Sequence, residues 1–204
     1  QILKLGGDKK TVSNKEIAES LGLSPASVSE MLPKLKKEGL IEYEAYKGIR
    51  LSAAGAEYSI LLTRNHRLWE VFLIEKLGYG WSDAHEDAEL LEHVTPKRLS
   101  ERLAVFLGNP THCPHGSVIP QYGDTDISYE EGLLSDLKTG DEGKISRVVE
   151  EKELMNYLEG LGVKIGADFT VLDVGDYEGG YTLRMDNTEI TISRRAAQKI
   201  YITD

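Results

Sequence analysis

Two helix-start signals stand close together near the beginning of the chain, and the residues between them leave room for only a tight turn. In "TVSNKEIAES", Ser13 is placed to cap a helix, and Glu16 three residues later completes a capping box. Val12 and Ile17 flank that cap as the two halves of a hydrophobic staple. The helix ends near Ser20, "LGLS" turns the chain at Gly22, and Ser24 caps a second helix with Pro25 in its first position. In "PASVSEMLPKLKKEGL", Val28, Met31, Leu32 and Leu35 recur at helical spacing as a core face, and Gly39 stops the helix. Pro33 should bend or weaken it. Two short capped helices joined this tightly fold as a helix-turn-helix.

That motif sends the N-terminal residues of its second helix into the major groove. Here those are Ser24, Pro25, Ala26, Ser27, Ser29 and Glu30, small and polar enough for close approach to base edges. Lys34, Lys36 and Lys37 follow, suited to phosphate contacts that set position rather than sequence. "LIEYEAYKGIRLS" then alternates on both sides of Tyr46-Lys47-Gly48, the pattern of a β-hairpin wing with Lys47 and Arg50 at or near its tip. A winged helix-turn-helix over residues 1–52 and double-stranded DNA as partner are the expectations.

Charge first argues otherwise, because the formal net charge is -10 and nucleic acid repels an acidic surface. The sign is uneven, however: residues 1–50 hold nine Lys/Arg against seven Asp/Glu, leaving 15 against 27 for the remainder. A weakly basic DNA reader therefore precedes a strongly acidic body. No apolar run reaches the ~20 residues that span a membrane, and no secretory signal opens the chain. Cys113 is the single cysteine, so no internal disulfide forms, which fits a reducing, cytoplasmic setting. The sequence begins at Gln1 without a methionine, so a natural N-terminus upstream is expected.

Ser52 to about Leu77 reads as one long helix closed by Gly78, with Leu61, Leu62, Leu68, Val71, Phe72 and Leu77 apolar enough for a core or dimer helix. His66 and Glu70 lie on one of its faces. The next helix, capped by Ser82, contains "AHEDAELLEH". At about 100° per residue, with His85 at zero, Glu89 falls near 40°, Glu92 near -20° and His93 near 80°. Ala84, Ala88 and Leu91 gather on a separate apolar side, near 240–300°. "TPKRLSERLAVFLG" is a further helix, with Leu99, Leu103, Phe106 and Leu107 as its buried face.

A lone histidine or glutamate on a helix is usually solvated. Here two helices each bring an i,i+4 His/Glu pair, and clustered carboxylates are unfavourable unless a cation neutralises them. Mixed carboxylate and imidazole donors suit Mn2+ or Fe2+ better than a thiolate-rich set would. Enzymatic metal patterns fit poorly: a zinc-protease helix needs histidine where Glu89 stands, and in the di-iron Glu-x-x-His pattern Leu90 occupies the glutamate position before His93. No serine or cysteine triad suggests itself either, so an enzyme is not expected. In "THCPHG", Cys113 and His115 form a Cys-x-His pair around Pro114, while His112 reads as solvated.

These features together resemble the diphtheria toxin repressor family of metal-dependent transcriptional regulators, in particular its manganese-responsive, streptococcal-type branch. The resemblance covers nearly the whole chain and is strongest in "NHRLWEVFLIEKLGYGWSDAHEDAELLEHV" and "NPTHCPHGSVIP". It implies a principal metal site of His66, Glu89, Glu92 and His93. Iron-type relatives carry cysteine where Glu89 stands, so glutamate implies Mn2+, with Fe2+, Zn2+ or Co2+ as substitutes. A second site is implied at Glu70, Cys113, His115 and Glu150, with the adjacent Glu151 as an alternative, and His85 matches a second-site histidine of iron-type relatives. The family also draws a principal-site ligand, acidic or methionine, from a helix preceding Gln1, which would leave the site in this sequence one ligand short or completed by water.

Residues 121–140 are polar and acidic, the composition of a linker with at most one short helix. Beyond them, "KISRVVE", "DFTVLDVG", "YTLRM" and "TEITISR" read as strands around a helix near Glu153–Leu158, with turns at Gly179-Gly180 and Asp186-Asn187. The expected fold is thus mainly α with small β parts. It comprises the winged helix-turn-helix, a helical metal-binding and dimerisation domain (53–120), the linker, and a C-terminal SH3-like, FeoA-like small barrel (141–204). The expected function is a homodimeric, Mn2+-dependent repressor that reads a near-palindromic operator and controls metal-uptake genes, with no membrane and no small organic substrate as partner. The competing reading is a winged-helix regulator that responds to an organic ligand, the acidic stripe being mere surface.

Overall fold

The structure, a computed structural model, describes residues 1–44, 48–124, 131–177, 179–186 and 188–203. It divides into two compact units, Gln1–Thr63 with a short stretch from Pro120, and Arg64–Ile119 with the C-terminal residues.

The first unit contains α1 (Asn14–Leu21), α2 (Pro25–Lys37), β1 (Ile41–Glu44) and β2 (Gly48–Leu51). Both expected caps form. Ser13 Oγ accepts from the Glu16 amide at 3.2 Å while Glu16 Oε2 accepts from the Ser13 amide at 2.8 Å. Gly22 takes the left-handed conformation (φ 64°) that ends α1, and Ser24 Oγ accepts from the Ser27 amide. Pro33 lies exposed within an unbroken α2. The strands pair antiparallel from Ile41 opposite Leu51 to Glu44 opposite Gly48. The tip at Tyr46 and Lys47 lies outside the described residues.

Val12, Ile17, Ala18, Val28, Leu32, Ile41, Ile49 and Leu51 make the core. Met31 does not join it, being 56% exposed. The helical angle explains the correction: with Val28 at zero and about 100° per residue, Leu32 falls near 40° and Leu35 near -20°, but Met31 near -60°.

α3 (Ala53–Leu77) starts where Ser52 Oγ accepts from the Gly55 amide at 3.0 Å, and the division between units falls within this helix. In the second unit follow α4 (Trp81–Glu92) and α5 (Lys97–Phe106). Ser82 is not the cap of α4. Gly80 holds that position, Ser82 is buried, and the Trp81 amide donates to Glu159 Oε1 at 2.9 Å. On α5 the inward residues are Ser100, Leu103 and Ala104, whereas Leu99 and Phe106, expected inside, are 43% and 66% exposed.

The C-terminal part is an antiparallel six-stranded sheet in the order β3-β8-β4-β5-β6-β7. Its strands are β3 (Gly132–Leu133), β4 (Glu142–Val148), β5 (Asp168–Val174), β6 (Tyr181–Met185), β7 (Thr188–Ile192) and β8 (Ile200–Thr203), with α6 (Lys152–Gly160) and α7 (Arg194–Ala197) between them. Register shifts at Ile145/Arg147 and Val171/Asp173 bend the strands around a core that includes Leu134, Ile145, Leu158, Leu183, Ile192 and Ile200. Part of the expected linker thus enters the sheet: β3 pairs with β8, and Leu134 is fully buried. Asn187 of the expected Asp-Asn turn lies outside the described residues. Among those described, no helix is long and apolar enough to cross a membrane.

Candidate metal centre

Four elements of the second unit converge on Glu70. α3 contributes His66 and Glu70, one turn apart on the same face. α4 contributes His85, the loop after α5 contributes Cys113 and His115, and the residues just beyond β4 contribute Glu150. The loop is a built turn: the Cys113 amide donates to the Ser117 carbonyl (2.8 Å) and the Gly116 amide to the Cys113 carbonyl (2.9 Å). Gly116 has φ 86°, and a Cβ there would lie 1.9 Å from the Ser146 carbonyl oxygen. Only glycine therefore lets this loop lie against β4. The Val148 amide donates to the His115 carbonyl at 3.0 Å, which aligns the end of β4 so that Glu150 faces the loop. Ser117, a residue no ligand pattern picks out, donates to Glu150 Oε1 at 3.1 Å.

Glu70 Oε1 lies 2.9 Å from His66 Nε2, 3.0 Å from His85 Nδ1 and 3.1 Å from His115 Nδ1. His66 Nε2 and His85 Nδ1 are themselves 3.0 Å apart. Three nitrogens crowd one oxygen, while Glu70 Oε2 and His115 Nε2 are buried with no hydrogen-bond partner among the described residues. As a hydrogen-bond network this is poorly distributed. As a donor set it would suit a divalent cation, with imidazole nitrogens and a carboxylate oxygen 2.9–3.1 Å apart. Among the described residues, two groups have ligand atoms all within 4.8 Å of one another, namely Glu70, Cys113, His115 and Glu150, and His66, Glu70 and His85.

Protons hold the cluster when no cation does. Burial opposes charge on His66, but hydrogen bonds to Glu70 and Glu92 outweigh it and raise its pKa to about 10. The His115 pKa is raised too, the Glu70 charge outweighing burial. Burial would raise the pKa of Glu70, yet the His115 charge and the imidazole hydrogen bonds hold it well below the usual carboxylate range. Burial, with the charges of Glu70 and Glu150, pushes the Cys113 thiol well up, so its thiolate needs a cation.

Glu92 forms a second focus. Its Oε2 is 2.8 Å from His66 Nδ1 and its Oε1 is 3.3 Å from His93 Nε2. Glu89 and His93 are exposed, and Glu89 does not join either close group. The stripe read from the sequence is therefore graded: His85 and Glu92 are partly buried against the cluster, whereas Glu89 and His93 stay exposed. Of the two neighbouring acids, Glu150 reaches the cluster, while Glu151 pairs with Lys199. His112 is exposed and pairs with Thr111 Oγ1.

In the first unit, the leading residues of α2 are exposed, but not equally available. Ser24 and Ser27 hydrogen-bond each other at 2.9 Å, and Ser29 is engaged by Asn14 Nδ2 and the Pro25 carbonyl. Pro25, Ala26, Glu30, Lys34 and Lys37 are presented to solvent, while Arg50 donates to the Asp8 carbonyl at 3.1 Å.

Comparison with known proteins gives a consistent pattern. Residues 1–49 match the iron dependent repressor N-terminal DNA binding domain, residues 52–121 the iron dependent repressor metal binding and dimerisation domain, and residues 133–204 the FeoA domain. A manganese-dependent transcriptional repressor solved in complex with manganese is 30% identical, covering 95% of this chain and 91% of that one with a TM-score of 0.80. ScaR with bound Cd2+ is 35% identical, covering 99% and 95%, with a TM-score of 0.78. The iron-dependent repressor IdeR of Mycobacterium tuberculosis is 30% identical over 131 residues. That match spans 64% of this chain and 57% of IdeR, little more than half the relative's length.

Proposed function

Since this chain belongs to the iron-dependent repressor family, that of the diphtheria toxin repressor, we propose that it is a transcriptional repressor that binds operator DNA when loaded with a divalent metal, foremost Mn2+. The observation that carries this reading is the buried cluster around Glu70, with two ligand-type atoms lacking any hydrogen-bond partner. His66, Glu89, Glu92 and His93 hold the principal cation, and Glu70, Cys113, His115 and Glu150 the second. His85 completes the donor triangle with His66 and Glu70. Carboxylate and imidazole donors favour Mn2+, with Fe2+, Zn2+ and Co2+ compatible.

A bound cation supplies the positive charge that imidazole protons otherwise provide and ties the ligand-bearing elements together. The chain's own part is to bring α3, α4, the Cys113 loop and the end of β4 within reach. Metal shifts DNA affinity only insofar as the DNA-competent arrangement binds it more tightly.

Exposed Leu90, Val94, Leu99, Val105 and Phe106 on and beside α4 and α5 support a homodimer face. Two α2 helices related by that symmetry read a near-palindromic operator, with Pro25, Ala26, Ser27 and Glu30 toward the bases and Lys34, Lys37, Lys47 and Arg50 toward phosphates. The regulated genes are those for metal uptake, and the site of action is the cytoplasm.

The test is an Mn2+ titration of the protein with duplex DNA selected from a random pool, with chelator as control. Binding equally tight in chelator sinks metal activation. Glu92→Ala with His93→Ala should abolish the metal response and keep the fold; an unchanged response means the principal site lies elsewhere.

A further inference from the structure

Asn65 immediately precedes His66 on α3, and its side chain is only 1% exposed. Its Nδ2 donates to two carbonyls, that of Glu92 at 3.2 Å and that of Thr95 at 3.1 Å. Its Oδ1 has no hydrogen-bond partner among the described residues, so its side-chain hydrogen bonds go to those carbonyls. One turn further along α3, Trp69 Nε1 donates to Thr95 Oγ1 at 2.7 Å, and that hydroxyl donates to the Leu91 carbonyl at 2.7 Å.

Leu91 and Glu92 are the last two residues of α4, where a helix end leaves carbonyls without a regular intrahelical donor, and the Glu92 carbonyl is met by Asn65. No glycine closes this end; the C-cap is His93 in right-handed helical conformation. The Val94 amide closes on the Leu91 carbonyl at 3.2 Å, and the side chains of Asn65 and Thr95 add to it. The consequence falls on Glu92. Its backbone carbonyl is held by Asn65, and its carboxylate meets the ring of the next residue, His66, at 2.8 Å. Two adjacent residues of α3 thus fix both the main chain and the side chain of one ligand, and His93 follows directly.

We propose that Asn65, with Trp69 and Thr95, is a positioning clamp that sets the end of α4 so that Glu92 and His93 are aimed for the principal cation. None of the three touches the cation. The proposal rests on the reading that Glu92 is a principal-site ligand. It assigns a division of labour on α3: one pair of residues a turn apart (65 and 69) holds α4, and the next pair round (66 and 70) presents donors.

The experiment uses the full chain and Mn2+ alone, with free Mn2+ counted by electron paramagnetic resonance. Cys113→Ala identifies the second-site class in the isotherm, and Glu92→Ala the principal-site class. Asn65→Asp keeps the shape but turns a donor into an acceptor facing two carbonyls. Thr95→Val removes the hydroxyl at similar volume, and Thr95→Ser restores it. Asn65→Asp and Thr95→Val should each weaken the Glu92-dependent class about tenfold, or about 1.4 kcal/mol. The Cys113-dependent class should stay within about twofold, and Thr95→Ser should match the parent. Should Asn65→Asp fail to fold, Thr95→Val and Thr95→Ser carry the same comparison. Equal weakening of both classes, or of neither, overturns the clamp and leaves a purely structural helix cap. If Glu92→Ala leaves both classes intact, the functional reading is wrong and the clamp falls with it.

Discussion

Glu70 is fully buried yet ionised because three imidazoles face it, and His66 stays protonated because two carboxylates face it. The sign of each shift fixes a pH window. His66 is raised above its unfolded value, so its contribution is complete below the ordinary histidine value of 6.5 and is lost as pH rises through about 10. Glu70 is lowered, so its contribution is present above 4.5 and is lost as pH falls through its depressed folded value. In chelator, the urea midpoint should therefore fall as pH rises from about 6.5 toward 10. Added Mn2+ should reverse that trend over about pH 6 to 8, because its ligands must be deprotonated and its stabilisation grows as protons leave. A midpoint independent of pH in chelator contradicts the proton-held cluster. The residue types were legible in sequence; which of them the fold buries together was not. His85 and Glu92, at about 0° and -20° on α4, border the apolar side at -120° to -60° and are drawn inward. Glu89 and His93, at about 40° and 80°, are farther round and stay exposed. Spacing records the arc but not where the neighbouring helix cuts across it.

Elements whose signals are local were readable, and those completed from afar were not. α1 and α2 carry their own caps within four residues, so their starts followed from the sequence. The start of α4 did not, because the carboxylate that meets it belongs to Glu159, on α6. β3 was missed for a similar reason: Gly132–Leu133 is too short to alternate, and only pairing with β8 makes it a strand. The Cys113 loop combines both kinds of information. Its ligand pair is visible in "THCPHG", but the demand on Gly116 comes from β4. Gly116→Ala should cost more than about 1 kcal/mol of stability and strip the Cys113-dependent metal class. Gly162→Ala is the control: φ is 74° there as well, but a Cβ meets nothing within 4 Å. Equal losses of metal binding in the two variants would show that backbone strain, not contact with β4, governs the loop.

At the scale of the whole molecule, fold class was legible because helical spacing dominates the chain up to Phe106 and strand patterns dominate beyond Asp141. Burial within one chain could not be told from burial between chains. Leu99 and Phe106 were expected inside, and a single chain leaves them exposed beside Leu90, Val94 and Val105. An apolar stripe on α5 looks the same in sequence whether a neighbouring helix or a second copy covers it. DNA binding gives a reason to prefer the second copy. The first fifty residues carry nine Lys/Arg against seven Asp/Glu, so one DNA reader has little electrostatic attraction of its own. Two readers joined through α5 make the second contact intramolecular, which typically multiplies affinity about 10²–10⁴-fold. Phe106→Asp places a charge on the exposed apolar face; Phe106 belongs to neither metal cluster nor the buried core, and its ring contact is with half-buried Phe72. In Mn2+ the variant should sediment as a monomer, keep both classes of metal binding, and bind the selected DNA at least about tenfold more weakly. The remaining binding should have a shallower dependence on salt, since fewer phosphates are neutralised per complex. A variant that remains dimeric with full DNA affinity would move the dimer face away from α5. A monomer that keeps full affinity would show that one reader suffices and that the operator need not be palindromic.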